Sequence, residues 1–422
     1  MKFPVLRFLI PLFLFILIII THSMSPVVTN GDSRWTIPVA LSILNNHTTD
    51  LDQYPDLISR SHSYAIEKIN GHQYCFFPLG PKLFTVPVVA ILKLWRTDHE
   101  ILEERGLIEK ISGSIIVAIA AIFIYSIANM FLSTHLSVLL AFIFAFCTPE
   151  WSICSRAMWQ HGPSALMLTI ALYVLLKAQR RPLLSQFASL PLAFSFIMRP
   201  TNSISILFLS IYVLVQFRVY FLKYMFWGAF VATAFFLFNF SLYQSPLPPY
   251  HWAGRLNVDN LSLNVLLANL LSPGRGLFVF TPVFILSILG MILSLRKSFN
   301  NKLDLFLIVI IICHWLVISS FPHWWAGWSI GPRFFSDMTP YFIYLMIPFF
   351  AWLSALNNRP AQKSLWILSV LLIGFSFFVH LQGATNSSVN GWNAQPIDID
   401  KASWRVWDWK DPQFLRGLKY QP

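Results

Sequence analysis

Charge is scarce in this chain. Asp, Glu, Lys and Arg make up 11% of its 422 residues, against 56% hydrophobic residues, and the mean hydropathy is +0.61. No soluble core encloses that much apolar surface, so a water-soluble globular fold is excluded and most of the chain must face lipid. Acidic residues are the rarer sign, 18 against 30 Lys and Arg. The resulting net charge of +12 does not mark a nucleic-acid-binding protein, because the basic residues fall in short clusters between apolar runs rather than along one stripe. Cysteine is rarer still. Cys75, Cys147, Cys154 and Cys313 have neither metal-ligand nor redox spacing, so no disulfide framework or zinc site is indicated. An internal repeat, common in transporters, is missing. So is a small-x-small cleavage site after the first apolar stretch. Residues 1–23, which open like a signal peptide with Lys2 and Arg7, therefore read as an uncleaved first span.

What the chain does have is a series of apolar runs, at about 5–22, 111–131, 136–149, 163–177, 183–198, 201–217, 224–242, 277–295, 304–320, 338–357 and 364–381. The expected fold is an all-α polytopic membrane protein with about 11 transmembrane helices. With a cytoplasmic N-terminus, Lys177/Arg180/Arg181, Arg218/Lys223, Arg296/Lys297/Lys302 and Arg359/Lys363 all fall inside, as the positive-inside rule requires. Residues 24–110, 150–162, 243–276, 321–337 and everything after 382 then lie outside. This divides the chain into a transmembrane domain, 1–382, and an extracytoplasmic tail, 383–422. Within the long first loop, 35–45 and 81–95 are apolar but too short or interrupted to span comfortably, and are expected as helices in the interface plane. The apolar stretch 183–217 would be roughly 50 Å long as one helix, so two spans must meet at Arg199-Pro200.

Polar residues that a helix bundle has no need of gather on the outer side. They are Asp32, Arg34, Asp50 and Asp52, then Glu150, Arg156, Gln160 and His161, then Tyr250, His251, Arg255 and Arg275, then His323, Arg333 and Asp337. Any active site is therefore expected outside. In S272-P-G-R-G276 an arginine stands between glycines, which let a backbone approach a ligand and leave a guanidinium to grip a phosphate in bidentate fashion. In F321-P-H-W-W-A-G-W-S-I-G-P-R333, tryptophans and a histidine surround a second arginine. Flat faces for a sugar and positive charge for a phosphate are what a sugar-bearing phospholipid needs. Asp32, just past the first span, is the leading acidic residue, with helix capping as its alternative role. Asp50-Leu51-Asp52 has a D-x-D form, but it follows the polar N45-N-H-T-T49 loop with no other ligands nearby and reads as solvated loop; no metal ligand is assigned, and use of a divalent cation is left open.

The order of these segments resembles a known superfamily. An early acidic residue in G31-D-S-R-W35, the F77-P-L-G-P-K82 turn, the M198-R-P-T-N202 break, S272-P-G-R-G-L-F278 and W324-W-A-G-W-S-I-G-P-R333 together look like the GT-C integral-membrane glycosyltransferases. The likeness is to the bacterial branch of protein O-mannosyltransferases and lipid A aminoarabinose transferases. It implies a polyprenyl-phosphate sugar donor used at the outer face of a bacterial plasma membrane, with an acceptor hydroxyl on a glycan, lipid or protein. Asp32 would be the general base, Glu150 or His161 a second catalytic group, and Arg199, Arg275 and Arg333 the donor-phosphate ligands. Arg34, His323, Trp324 and Trp325 would contact sugar or acceptor. Rival readings are a lipid-linked glycan polymerase or ligase, and a flippase or transporter for the same lipid-linked sugar.

Overall fold

The computed structural model describes residues 6–29, 31–60, 63–252, 254, 256–296, 302–357 and 359–419; Lys2, Arg255 and Lys297 lie outside them. Among these residues the regular structure is helical apart from one two-stranded hairpin. Six helices are long and apolar enough to cross a membrane: Arg105–Ala128, His161–Ala178, Arg218–Tyr243, Lys302–Ser319, Arg333–Ser354 and Arg359–Thr385. The other expected spans form shorter apolar helices, Leu9–Met24, Thr134–Phe146, Pro182–Met198, Pro200–Gln216 and Pro282–Arg296. Two hydroxyls of Arg105–Ala128 are satisfied within the helix: Ser112 and Ser114 donate to the carbonyls of Ile108 and Lys110 at 2.8 and 2.7 Å, which suits a waterless surrounding.

Burial sorts the long helices. Arg333–Ser354 is central, with 89% of its apolar stretch buried, whereas Arg218–Tyr243 and Arg359–Thr385, at 17% and 22%, turn Phe226, Phe230, Leu237, Val370 and Leu371 outward. Keeping each such side chain in water would cost on the order of 1.5–3 kcal/mol. Hydrocarbon removes that cost, so this is an all-helical protein of the multi-pass membrane type.

The break at residues 198–203 follows from the proline. The helix Ser189–Met198 stops, Arg199 is extended at φ −150°, ψ 129°, and Pro200 opens the next turn, because a residue before proline is driven out of the helical region. In the long first loop, the helix Thr36–Asn46 is buried from Thr36 to Ser42. It packs against Gly80–Leu92 through Ile37, Ala40, Leu41 and Val89, with Ile101 and Ile108 beneath. Between them the chain makes a hairpin, Ile66–Ile69 with His72–Cys75. Asn70 and Gly71 turn it at φ 51° and 93°, the left-handed pair that a two-residue hairpin loop requires.

The tail folds back onto the loops that join the helices. Trp392 is fully buried with Ala268, Ile399 and Val406, and Trp324, Trp325 and Trp407 pack against them.

Candidate functional site

Asp32 sits in the turn before Thr36–Asn46, partly exposed, and both of its oxygens are held. Tyr64 donates to Oδ1 at 2.9 Å, and Arg333 approaches Oδ2 at 3.3 Å across 301 residues of sequence. Arg333 arises where the loop 321–332 enters the central helix. Its guanidinium lies 4.0 Å over the Trp159 ring and donates to the Ala326 carbonyl at 2.7 Å. Its Nε is buried and has no partner among the described residues. An unpaired buried N–H costs on the order of 1–3 kcal/mol, so this donor is suited to an oxygen brought by a ligand. Capping, the alternative role for Asp32, receives no support: the helix is preceded by Trp35, and no side chain caps it.

Next to this pair is a buried network. Arg199, at the proline break, donates through Nη1 to Asp337 and to His161 Nδ1, the latter at 2.9 Å. Asp337 Oδ1 is 3.6 Å from the same ring and is otherwise unpartnered among the described residues. All three side chains are almost wholly enclosed. His161 opens its helix and therefore serves as an anchor for Arg199.

An apolar cleft of about 580 Å³ opens beside the network. Phe196, Ile204, Leu247, Val317 and Phe321 wall it, and Arg199, Tyr250 and His323 mark its polar edge. A smaller pocket is lined by Asp32, Lys82, Trp159 and Gln160. A hydrogen bond from the Gln160 amide to the Tyr250 hydroxyl at 2.7 Å joins the two.

Several residues singled out in the sequence lie elsewhere. Arg275, expected to be free for a phosphate, is fully buried with all five N–H groups in use. They go to the carbonyls of Trp325, Gly274 and Gly327 and to the side chains of Gln413 and Asn393. Its guanidinium and that of Arg405 lie 5.4 and 4.4 Å from the Trp392 ring. The neighbouring glycine does admit a close approach, but of the tail: a Cβ on Gly274 would meet Val406 Cα at 2.9 Å. Arg275 is thus an internal brace. Trp324 and Trp325 are partly buried and pack onto the same cluster, the Trp325 indole donating to Asp400 at 2.8 Å, so both are held against the tail. Glu150 is completely enclosed in the turn Glu150–Cys154 and lines neither cavity. Burial, reinforced by the Asp337 charge, raises its carboxyl well above the usual carboxylate range, which suits a protonated structural group. His323 is exposed on the cleft, and Arg34 is half-buried near Asp32.

Tyr64 and Trp159 are functional candidates that the sequence reading passes over. A tyrosine in a polar loop and a tryptophan near a span end look ordinary until the fold brings them to Asp32 and Arg333. Among the described residues no group of three or more His, Cys, Asp or Glu is placed to hold a metal ion. No protein-family model and no curated protein matches the chain.

Proposed function

We propose that the protein is a membrane glycosyltransferase that moves a sugar from a polyprenyl-phosphate donor to an acceptor hydroxyl. One observation carries this reading: a carboxylate, Asp32, paired with a partly unsatisfied arginine, Arg333, beside an apolar cleft whose edge holds a second arginine, Arg199. The cleft suits an isoprenoid chain, and the two guanidinium groups suit the phosphate at its end. The acceptor oxygen attacks the anomeric carbon as its proton passes to Asp32. The bond from that carbon to the phosphate oxygen breaks, and the electron pair leaves with the polyprenyl phosphate. Arg333 and Arg199 offset the charge that develops there. Tyr64 and Arg333 hold the Asp32 carboxylate in place for the proton transfer. On this reading Arg275, Trp324 and Trp325 shape the end of the bundle and touch no donor. The site faces outward in a plasma membrane with the N-terminus in the cytoplasm.

A second reading is translocation of the same lipid-linked sugar without transfer. The buried Arg199–Asp337–His161 network favours it, since enclosed charges within a bundle often mark a transport path. One experiment separates the two. Membranes containing the protein are given radiolabelled polyprenyl-phosphate sugars, and labelled product is measured alongside release of free polyprenyl phosphate. Label joined to an acceptor with equal polyprenyl phosphate released supports transfer. Label that crosses the membrane still on its lipid overturns it.

A further inference from the structure

A second cavity, about 680 Å³, lies at the other end of the bundle. The helix His161–Ala178 starts in the Arg199 network and ends at Gln179 on the cavity wall; its 18 residues place the two ends about 27 Å apart. The helix Lys302–Ser319 also connects them, with Lys302 at the cavity and Val317 at the cleft.

Five features of this cavity point to one ligand. Deep in its wall is Asp304, only 5% exposed, an acceptor for the hydroxyls of Ser294 at 2.7 Å and Tyr344 at 2.9 Å. Aromatic rings surround it: Tyr212 packs on Phe217 and Phe131 on Tyr344, at centroid distances of 5.8 and 6.3 Å. A carboxylate among aromatic faces attracts a cation. Helix ends add to this, because the C-termini of His161–Ala178 and Ser203–Gln216 both reach the cavity and carry partial negative charge. At the exposed rim the sign reverses, with Arg218 and Lys302. Next to them Val215 and Val219 are exposed apolar surface.

We propose that this cavity binds phosphoethanolamine as the headgroup of a membrane phospholipid. The primary ammonium enters toward Asp304 and the rings, the phosphate stays at Arg218 and Lys302, and the acyl chains run out over Val215 and Val219. A wholly anionic headgroup would meet Asp304 unfavourably, and a neutral lipid would leave the rim cations without a ligand.

The test uses the full-length protein in detergent, mixed with equal amounts of phosphatidylethanolamine, phosphatidylcholine, phosphatidylglycerol and diacylglycerol of the same chain length. Bound lipid is counted by native mass spectrometry. Phosphatidylethanolamine should dominate the adducts. Asp304→Asn should lower that adduct by about tenfold or more, the effect of weakening one charged contact, while leaving phosphatidylglycerol unchanged or higher. Arg218→Gln with Lys302→Gln, both at exposed positions, should lower all three phospholipids toward diacylglycerol, and this double variant decides the matter if Asp304→Asn does not fold. Equal binding of all four lipids by the unaltered protein, or an ethanolamine preference that survives Asp304→Asn, overturns the proposal. Glycerophosphoethanolamine, which lacks acyl chains, is added as competitor; competition as strong as the lipid's own overturns the lipid as the source of the headgroup. None of these outcomes depends on sugar transfer.

Discussion

Arg275 and Arg333 occupy similar places in sequence, each in a glycine-containing loop just before an apolar helix, yet the fold uses them in opposite ways. Around Arg275 the protein supplies every acceptor, five for five N–H groups, and the tail seals the region. Around Arg333 it supplies an exposed-side carboxylate, one carbonyl and an aromatic face, and leaves Nε without a partner among the described residues. A fully satisfied buried arginine maintains structure. One left partly unsatisfied beside a cleft is available to a ligand.

The contrast is sharpest at Asp32. Asp32→Asn keeps the shape and removes the basicity, so sugar transfer should fall by roughly 10²–10⁴-fold while donor binding and folding persist. Transfer and binding assays run on the same preparation check this, and near-normal transfer removes Asp32 from the mechanism. Arg333→Lys should be next in size. An ammonium cannot serve both Asp32 and a phosphate as the planar fork does, so transfer should drop roughly 10²-fold with an unchanged thermal midpoint in detergent.

Arg275→Lys should show the reverse pattern. Carbonyls and amides left without their donor should destabilise the protein by about 2–4 kcal/mol, seen as a lower thermal midpoint and faster proteolysis of residues 386–419, while transfer at low temperature stays near normal. The comparison breaks if Arg275→Lys abolishes transfer with the tail still intact.

The smallest effect concerns the hairpin, which borders the Asp32 region through Tyr64. The Gln73 amide and then His72 hold Asp52 below the usual carboxylate range, and Asp52 holds His72 above the usual imidazole range. The Asp52 contribution is present above the ordinary carboxylate value of about 4 and fades as pH falls through its lowered pKa. The His72 contribution is complete below about 6.5 and is lost as pH rises through its raised pKa. Amide exchange in residues 66–75 should therefore be slowest between about pH 4 and 6.5 once corrected for intrinsic rates, and Asp52→Asn should flatten that minimum. A minimum unchanged in the variant removes the ion pair as its cause.

The parts of this molecule legible in its sequence are those governed by local rules. Apolar runs of this length form helices because a helix satisfies its backbone groups within one segment, as hydrocarbon requires, and the break at Arg199-Pro200 follows from proline sterics. The hairpin is equally legible at I69-N-G-H72, where Asn-Gly between short β-type segments is a strong turn signal, yet only the two helices of this loop are named from the sequence. The site was only half legible. Asp32, Arg199 and Arg333 stand out in the sequence as polar residues near span ends, but their grouping joins distant parts of the chain, with no periodicity to announce it. In S272-P-G-R-G276 the glycines did signal a close approach, and the approaching partner was the protein's own residue 406.

The socket around Arg275 also imposes an order on biogenesis. Two of its acceptors, Asn393 and Gln413, follow it by 118 and 138 residues, so the arginine leaves the ribosome long before its surroundings exist. Throughout that interval the nascent chain holds a cation whose final partners have not been made, and it must keep that cation hydrated. The bundle can insert helix by helix, but this end closes only after translation has passed Gln413. A ribosome stalled before that point releases a chain with an incomplete socket and a tryptophan cluster missing part of its cover.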